Sequence, residues 1–376
     1  MKCVHLTSAH RYDDVRIYHK ECVSLANAGH DVHLVVPSMI HEDGDRTEDG
    51  ICIHPVPTPS SRKERFLKTS LHVFNRARRL DADIFHLHDP ELLPYGVALR
   101  LLGNTVVYDV HEDVSADISS REWIPKKYRT LVSQTFRFAE FASLMVMSGV
   151  VVVTDAIRAK FRRVRPPRLL LKNYPILSEL EVPGSTVPYS DREDQAVYVG
   201  SITEVRGIYE MLQAVDILQK SGRQARLALA GSFFPSSLET AVRSTGEWGS
   251  VDFHGWADRS EVAQMLGASK VGLVVLHPTP NMGEALPVKL FEYMSAGIPV
   301  IASDFPLWRS IVEDADCGIL VDPKDPDAIA DAMRWMYDHP EEAEAMGQRG
   351  REAVLRTYNW SNEEEKLLTF YASLVD

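Results

Sequence analysis

The run NMGEALPVKLFEYMSAGIPVIASD, residues 281–304, holds two glutamates, Glu284 and Glu292, with seven residues between them. It follows an apolar stretch, VGLVVL (271–276), that reads as a buried strand. Pro287 suits the first position of a helix that runs on through Ser295. Gly297 ends that helix, and a further buried strand, PVIAS (299–303), begins two residues later. A strand, loop, helix and strand in this order form a parallel crossover unit. Glu284 then lies in the loop beyond the carboxyl end of a strand, and Glu292 lies about one and a half turns into the helix. Free N–H groups at Val288, Lys289 and Leu290 face the same loop and suit a phosphate, with the Lys289 charge beside them. A carboxylate farther into the helix suits the two hydroxyls of a ribose, and the loop carboxylate suits a sugar beyond the phosphates. Helix-dipole preference for acidic residues in a first turn accounts for the same spacing without any ligand.

Outward from this unit the alternation recurs. In the first half the expected strands are 3–7, 31–36, 83–88, 105–110 and 150–154. In the second they are 196–200, 226–231, 251–255, 271–276, 299–303 and 318–321. Amphipathic patterns such as IYHKECVSLANAG lie between them, with glycine just past the end. The fold class is therefore α/β: two doubly wound Rossmann-like domains, mostly parallel, facing a cleft. The expected divisions are a first domain over 1–172, a linker over 173–195 and a second domain over 196–358. A terminal helix over 359–376 is expected to pack back toward the first domain. The linker holds three prolines, a glycine and no sustained period.

Composition narrows the function classes. The apolar and charged fractions, 45% and 25%, are ordinary for a globular protein. Four scattered cysteines without a C-x-x-C fit a reducing cytosol rather than a disulfide framework or a structural zinc. The N-terminus turns polar too early for a signal peptide, and the most apolar window (141–157) is split by Gly149 and too short to span a bilayer. The net charge is −12. Residues 1–180 hold 25 Lys/Arg against 22 Asp/Glu (+3), and residues 181–376 the remaining 16 against 31 (−15). So acidic a second half argues against nucleic-acid binding. The cations of the first half gather in stretches such as SSRKERFLKTSLHVFNRARRL (60–80), with seven cations, one anion and Phe66, Leu67, Leu71 and Phe74 on one helical face. That pattern suits an anionic membrane surface, and equally a solvated helix packed on its sheet.

The words around the two glutamates carry further meaning. E-x7-E followed by AGIPVIASD resembles the donor site of family 4 (group 1) glycosyltransferases, which have the GT-B fold. YVGSITEVRGIYEMLQAVDIL and GILVDPKDPDAIADAM in the second half fit the same resemblance, as do AHRYDDVRIYHKECVSLANAGHDV and DIFHLHDPELL…VVYDVHED in the first. It implies that Glu292 binds the donor ribose and that Glu284 contacts the transferred sugar. It implies that Arg206, before Gly207, pairs with the diphosphate and that His111 lies near the reacting sugar or the acceptor hydroxyl. It also implies retention of anomeric configuration. Gly200 and Ser201 stand where many members have Gly-Arg, so one expected cation is missing, and Lys289 is a candidate substitute. The loop after the first strand lacks the usual Gly-Gly and offers His10, Asp14 and Arg16 on the acceptor side. An Asp14–Arg16 pair also suits a purely structural role in that loop. No metal and no cofactor are expected. Asp81/Asp83 and Asp314/Asp316 read as solvated carboxylates, and His86 and His88 alternate along a strand as packing histidines do. The expected protein is a cytoplasmic enzyme, peripheral on the inner face of the plasma membrane. It takes a nucleotide diphosphate-sugar and a glycan or lipid-linked acceptor, in bacterial surface polysaccharide synthesis. A nucleotide-sugar epimerase on the same fold and a non-catalytic sugar-binding protein are the rival readings.

Overall fold

The computed structural model describes residues 1–38, 44–120, 124–177, 187–279, 283 and 285–375. Its contacts divide the chain into two units, residues 1–173 with 360–376 and residues 174–359. The segment expected as linker is packed at both ends. Tyr174 is buried against Phe291, and Tyr189 is buried with its hydroxyl donating to the Lys270 carbonyl at 2.9 Å.

The first unit is an eight-stranded sheet. Its strands are β1 (Lys2–Leu6), β2 (Asp31–Pro37), β3 (Arg46–Glu48), β4 (Ile51–Val56), β5 (Ile84–Leu87), β6 (Thr105–Val110), β7 (Gly149–Val152) and β8 (Arg168–Leu170), ordered β3-β4-β2-β1-β5-β6-β7-β8. Every pairing is parallel except β3 with β4. Strand alternation gives the two faces different chemistry. Val4, Leu6, Phe85, Leu87 and Tyr108 form one apolar core. On the other face His5 and His86 are register partners, and Asp109 lies on the neighbouring strand. All three are buried.

That polar face is covered by helix. The segment Val15–Cys22 brings Arg16 and Glu21 over it, and the helix Trp360–Val375 brings Tyr371. The Tyr371 hydroxyl bonds with His86 Nδ1 at 2.6 Å and His5 Nε2 at 3.3 Å. Two further bonds hold the terminal helix to the first unit. Trp360 Nε1 donates to Ser24 Oγ at 2.8 Å, and Glu363 accepts the Lys172 N–H at 2.9 Å.

The second unit is a wholly parallel sheet of β9 (Gln195–Val199), β10 (Arg226–Ala230), β11 (Val251–Gly255), β12 (Val271–Val274), β13 (Val300–Ser303) and β14 (Gly318–Val321), ordered β11-β10-β9-β12-β13-β14. Its core lies in two layers. One packs the helix Ile208–Lys220 against Pro326–Asp338, and the other packs Val288–Ser295 with Trp308. In both units the chain changes direction beside a central strand, between β1 and β5 and between β9 and β12. Crevices at the carboxyl ends of such strands are where ligands bind in open parallel sheets.

The buried Tyr371 hydroxyl gives a test of how the first unit is closed. Tyr371→Phe leaves buried imidazole nitrogens of His86 and His5 without that partner, which costs roughly 1–3 kcal/mol. Chemical denaturation should show this loss, and a change below about 0.5 kcal/mol, the usual range for a neutral surface substitution, would contradict the packing.

Candidate functional site

In the second unit the chain leaves β9 through Gly200, at φ +126°. A Cβ here would lie 3.2 Å from Lys289 Nζ and 3.8 Å from Arg206 Nη1, so glycine keeps the space beside two cations open. Gly231 follows β10 at φ +137°, and a Cβ there would lie 1.9 Å from the Gly200 carbonyl oxygen. The two loops therefore touch through bare backbone. The Tyr198 hydroxyl donates to the Ser201 carbonyl at 2.8 Å, and Arg206 Nη1 donates to the same oxygen at 3.4 Å.

Lys289 is the unusual member of this group. Its Nζ is buried without a hydrogen-bond partner among the described residues, 3.8 Å from the centroid of the Tyr198 ring. A ring face attracts an ammonium group but replaces none of the hydrogen bonds that water would make. Burial, then the nearby Arg206 charge, holds the amine well below the usual lysine range, and Glu292 acts the other way.

The helix Val288–Ser295 follows Pro287, whose own side chain makes no capping bond. Trp308 Nε1 donates to the Ala285 carbonyl at 2.7 Å and fixes the chain just before it. Of the three N–H groups expected to be free, that of Leu290 bonds to the Pro287 carbonyl at 3.1 Å. The expected anion cradle narrows to Val288 and Lys289, because Pro287 turns the first bond inward. Glu292 is buried, and its Oε1 accepts from Arg259 Nη1 at 2.6 Å. Sequence reading missed this partner. The signal was the Asp258–Glu261 capping box, which starts the helix Arg259–Ala268 just after β11 and so puts Arg259 near the carboxyl end of the sheet. Glu284 lies outside the described residues.

In the first unit three adjacent strands deliver polar groups from their carboxyl ends. β1 leads to His10, β5 to Asp89 and β6 to His111. Asp89 accepts from the Thr7 hydroxyl at 2.7 Å and from the Ser8 N–H at 2.6 Å, and its Oδ1 is 3.2 Å from His10 Nδ1. Burial opposes charge on His10. The bond to Asp89 and the charges of Asp89, Asp14 and Glu112 outweigh it and push the imidazole up to about 9. His10 is thus an imidazolium at neutral pH. His111 Nδ1 lies 3.5 Å from Asp109 Oδ2, and the rings of His10 and His111 are 5.2 Å apart. Both line one cavity of about 900 Å³.

The other acceptor-side candidates serve the loop and the sheet. Asp14 caps the Val15–Cys22 segment by accepting from the N–H groups of Arg16 and Ile17, each at 2.9 Å. Buried Arg16 clamps Asp109 through Nε at 2.7 Å and Nη2 at 3.0 Å. Its Nε is also 3.2 Å from Glu21 Oε1. His5, Glu21, His86 and His88 offer ligand atoms within 4.8 Å of one another. In this structure, though, His5 Nδ1 bonds to His88 Nε2 at 2.9 Å, His86 bonds to Tyr371, and Arg16 places its charge against Glu21. The donor set of a metal site is present, with its positive charge supplied by arginine.

Comparison with known proteins agrees with this geometry. A sequence profile for "Glycosyl transferases group 1" matches residues 187–353, and one for "Glycosyl transferase 4-like domain" matches residues 17–171. The phosphatidyl-myo-inositol mannosyltransferase of Mycobacterium leprae is 26% identical over 337 residues, which is 85% of this chain and 82% of that protein. The solved sucrose-phosphate synthase of Thermosynechococcus elongatus matches with a TM-score of 0.78 at 21% identity, over 100% of this chain and 99% of its own. HepE of Anabaena, solved in complex with UDP-glucose, matches with a TM-score of 0.74 at 13% identity, over 99% of this chain and 100% of its own. No helix among the described residues is long and apolar enough to cross a membrane. With one profile on each unit and GT-B structures alike over the whole length, the chain belongs to the family 4 (group 1) glycosyltransferases.

Proposed function

We propose that this glycosyltransferase moves a sugar from a nucleotide diphosphate-sugar to a glycan or lipid-linked acceptor, with retention and without a metal. The observation that carries the donor half is Lys289, a buried amine without a hydrogen-bond partner among the described residues, beside Arg206 and the bare backbone at Gly200. A diphosphate is the ligand that this group lacks. It would accept from Lys289 Nζ, from Arg206 and from the N–H groups of Val288 and Lys289. Ser201 lies on the same turn and stays a candidate through its backbone. Glu292 would bind the ribose hydroxyls and release Arg259 as it does so. Glu284 would contact the transferred sugar. That HepE has been solved with UDP-glucose supports a donor of this class.

In the proposed reaction the bond from the anomeric carbon to the phosphate oxygen breaks and its electron pair leaves with the diphosphate. Lys289 and Arg206 stabilise that developing charge, which a fixed cation in a dry site does effectively. The acceptor oxygen bonds to the same face of an oxocarbenium-like carbon, and its proton passes to the departing phosphate. His111, oriented by Asp109, stands by the acceptor side. The acidic second half and the basic stretches of the first fit a place on the cytoplasmic membrane surface, in bacterial surface polysaccharide synthesis. The M. leprae relative named for phosphatidyl-myo-inositol supports a lipid-bearing acceptor.

Melting curves with millimolar UDP, GDP, ADP and CMP test the donor site. A ligand at about 100 times its Kd stabilises by roughly 2.7 kcal/mol. One nucleoside diphosphate should raise the wild-type midpoint by several degrees and leave Glu292→Ala unmoved. Equal shifts in both proteins would remove Glu292 from the site. Release of an isomerised nucleotide sugar, with no free nucleotide, would favour an epimerase instead.

Lys289→Met separates stability from binding. Removing a buried, unpartnered amine should stabilise the ligand-free protein, on the order of 1 kcal/mol or more, and abolish the nucleotide-dependent shift. A less stable variant that still responds to nucleotide would contradict the assignment.

A further inference from the structure

We propose that His5, Glu21, His86 and His88 bind a zinc ion inside the first unit, where it ties the first helical segment to the sheet. The site stands apart from the donor site, and the transfer reaction makes no use of the ion.

Four ligands meet from three places in the chain. His5 lies on β1, its register partner His86 lies on β5, and His88 follows β5 directly. Glu21 reaches them from Val15–Cys22. That segment is wound as a π-helix, an uncommon form that recurs at functional sites. All four residues are fully buried, and their ligand atoms lie within 4.8 Å of one another. Glu21 Oε2 is 3.5 Å from His86 Nδ1 and 3.9 Å from both His5 Nδ1 and His88 Nε2. These separations are too long for hydrogen bonds. They are near the spacing of donor atoms around one tetrahedral ion, which at zinc bond lengths stand roughly 3.3 Å apart.

Glu21 is the member that calls for a cation. Neither of its carboxylate oxygens has a hydrogen-bond partner among the described residues. Arg16 Nε stands 3.2 Å from Oε1, but its single hydrogen goes to Asp109 at 2.7 Å. Nη2 also donates to Asp109, and Nη1 donates to the Leu171 carbonyl. The neighbouring Lys20 donates to Asn173 Oδ1 at 2.6 Å. One guanidinium is thus shared between two buried carboxylates and bonds to only one of them. A buried carboxylate left without a hydrogen bond is costly. Burial keeps the three imidazoles neutral, which is the form that binds a metal.

The residues behind the ligands are placed to orient them. Asp109 only accepts, so His88 carries its hydrogen on Nδ1, 3.4 Å from Asp109 Oδ2, and presents the Nε2 lone pair to Glu21. The Tyr371 hydroxyl, 3.3 Å from His5 Nε2, is in position to hold that ring the same way. An oxygen behind a ligating imidazole is the usual second layer of a metal site. Tyr371 is also 2.6 Å from His86 Nδ1 and would yield that nitrogen to the ion. Three imidazoles and one carboxylate, without sulfur, form a ligand set that suits zinc.

The test is the metal content of the full chain, purified without a histidine tag and refolded with zinc or with a chelator. About one zinc per chain should be retained after refolding with zinc. The chelator-refolded chain should melt several degrees lower, with its nucleotide-dependent shift preserved. Refolding with cobalt should give the strong visible absorption of a tetrahedral site. Glu21→Gln keeps the shape of the side chain and removes its charge. It should lose the zinc and melt below wild type, whereas without an ion the same change removes a poorly compensated buried charge and leaves stability equal or higher. Cys52→Ser should keep the zinc, because Asp31, His33 and Cys52 form a separate, smaller group of possible ligands. A chain that refolds in zinc and retains none would overturn the proposal. Zinc retained by Glu21→Gln would place the ion elsewhere and overturn it too, as would an octahedral cobalt spectrum. Should Glu21→Gln fail to fold, zinc retention and the cobalt spectrum of the wild type still decide. Loss of the nucleotide shift with the metal would move the ion to the donor site and refute the assignment.

Discussion

An amine inside a protein, seated on an aromatic ring with no hydrogen-bond partner among the described residues, is expensive to charge. Lys289 is in that position, and several residues of the second unit surround it. Tyr198 supplies the ring from β9, and the Tyr293 hydroxyl accepts the Val199 N–H at 2.9 Å to pin that strand's end. Gly200 and Gly231 keep side chains out of the adjoining space, and Trp308 fixes the approach to the helix. In the proposed donor site an anion would satisfy this amine. Charge development on a leaving diphosphate is where such a pre-set cation acts with least reorganisation.

The first unit handles buried charge in the opposite way. Arg16, Asp109, His5, His86, His88 and Tyr371 are joined by hydrogen bonds and short polar contacts, and Glu21 lies within ion-pair distance of Arg16. Their work is to orient rather than to wait for an anion. Asp109 is held by Arg16 and lies 3.5 Å from His111 Nδ1 at the cavity. Tyr371 comes from the helix Trp360–Val375, so the cluster is closed by a residue nearly the whole sequence length away from His5.

The fold was legible wherever strands are continuous apolar runs, since those of a parallel sheet are buried on both faces. Strands 105–110 and 318–321 match residue for residue, and so does 251–255, although it is an alternating, partly exposed edge strand. Three strands were missed. β3 and β4 flank Asp49 and Gly50, both at positive φ, and the Asp-Gly pair in RTEDGICIH is a hairpin signal in its own right. β4 was hidden by Pro55, which is tolerated because an antiparallel strand and a loop lie beyond it, and β8 by its three-residue length and the prolines before it.

Legibility of the site followed the same divide between local and distant information. Local spacing singled out Lys289 and Glu292 as candidates, because a strand, a loop and a helix N-terminus are contiguous in sequence, and the family resemblance added Arg206. It did not find Arg259 on Glu292 or Tyr198 under Lys289, because those contacts join elements through the sheet order. Spacing also could not divide the loop residues His10, Asp14 and Arg16. The hydrogen bonds do: one faces the cavity, one caps a helix and one clamps a buried carboxylate. The most direct measurement is calorimetry of nucleoside diphosphate binding across about pH 8 to 10, a span that approaches the usual lysine range of about 10.4, in buffers of differing ionisation enthalpy. The second phosphate pKa of about 6 leaves the ligand fully ionised there. Lys289 is held below the usual lysine range when the site is empty and is returned toward it by the anion. Binding should therefore take up protons, with affinity falling as pH rises from the free-site value toward the bound one. Uptake that disappears in Lys289→Met is the predicted result, and binding with no proton exchange in wild type would contradict the account.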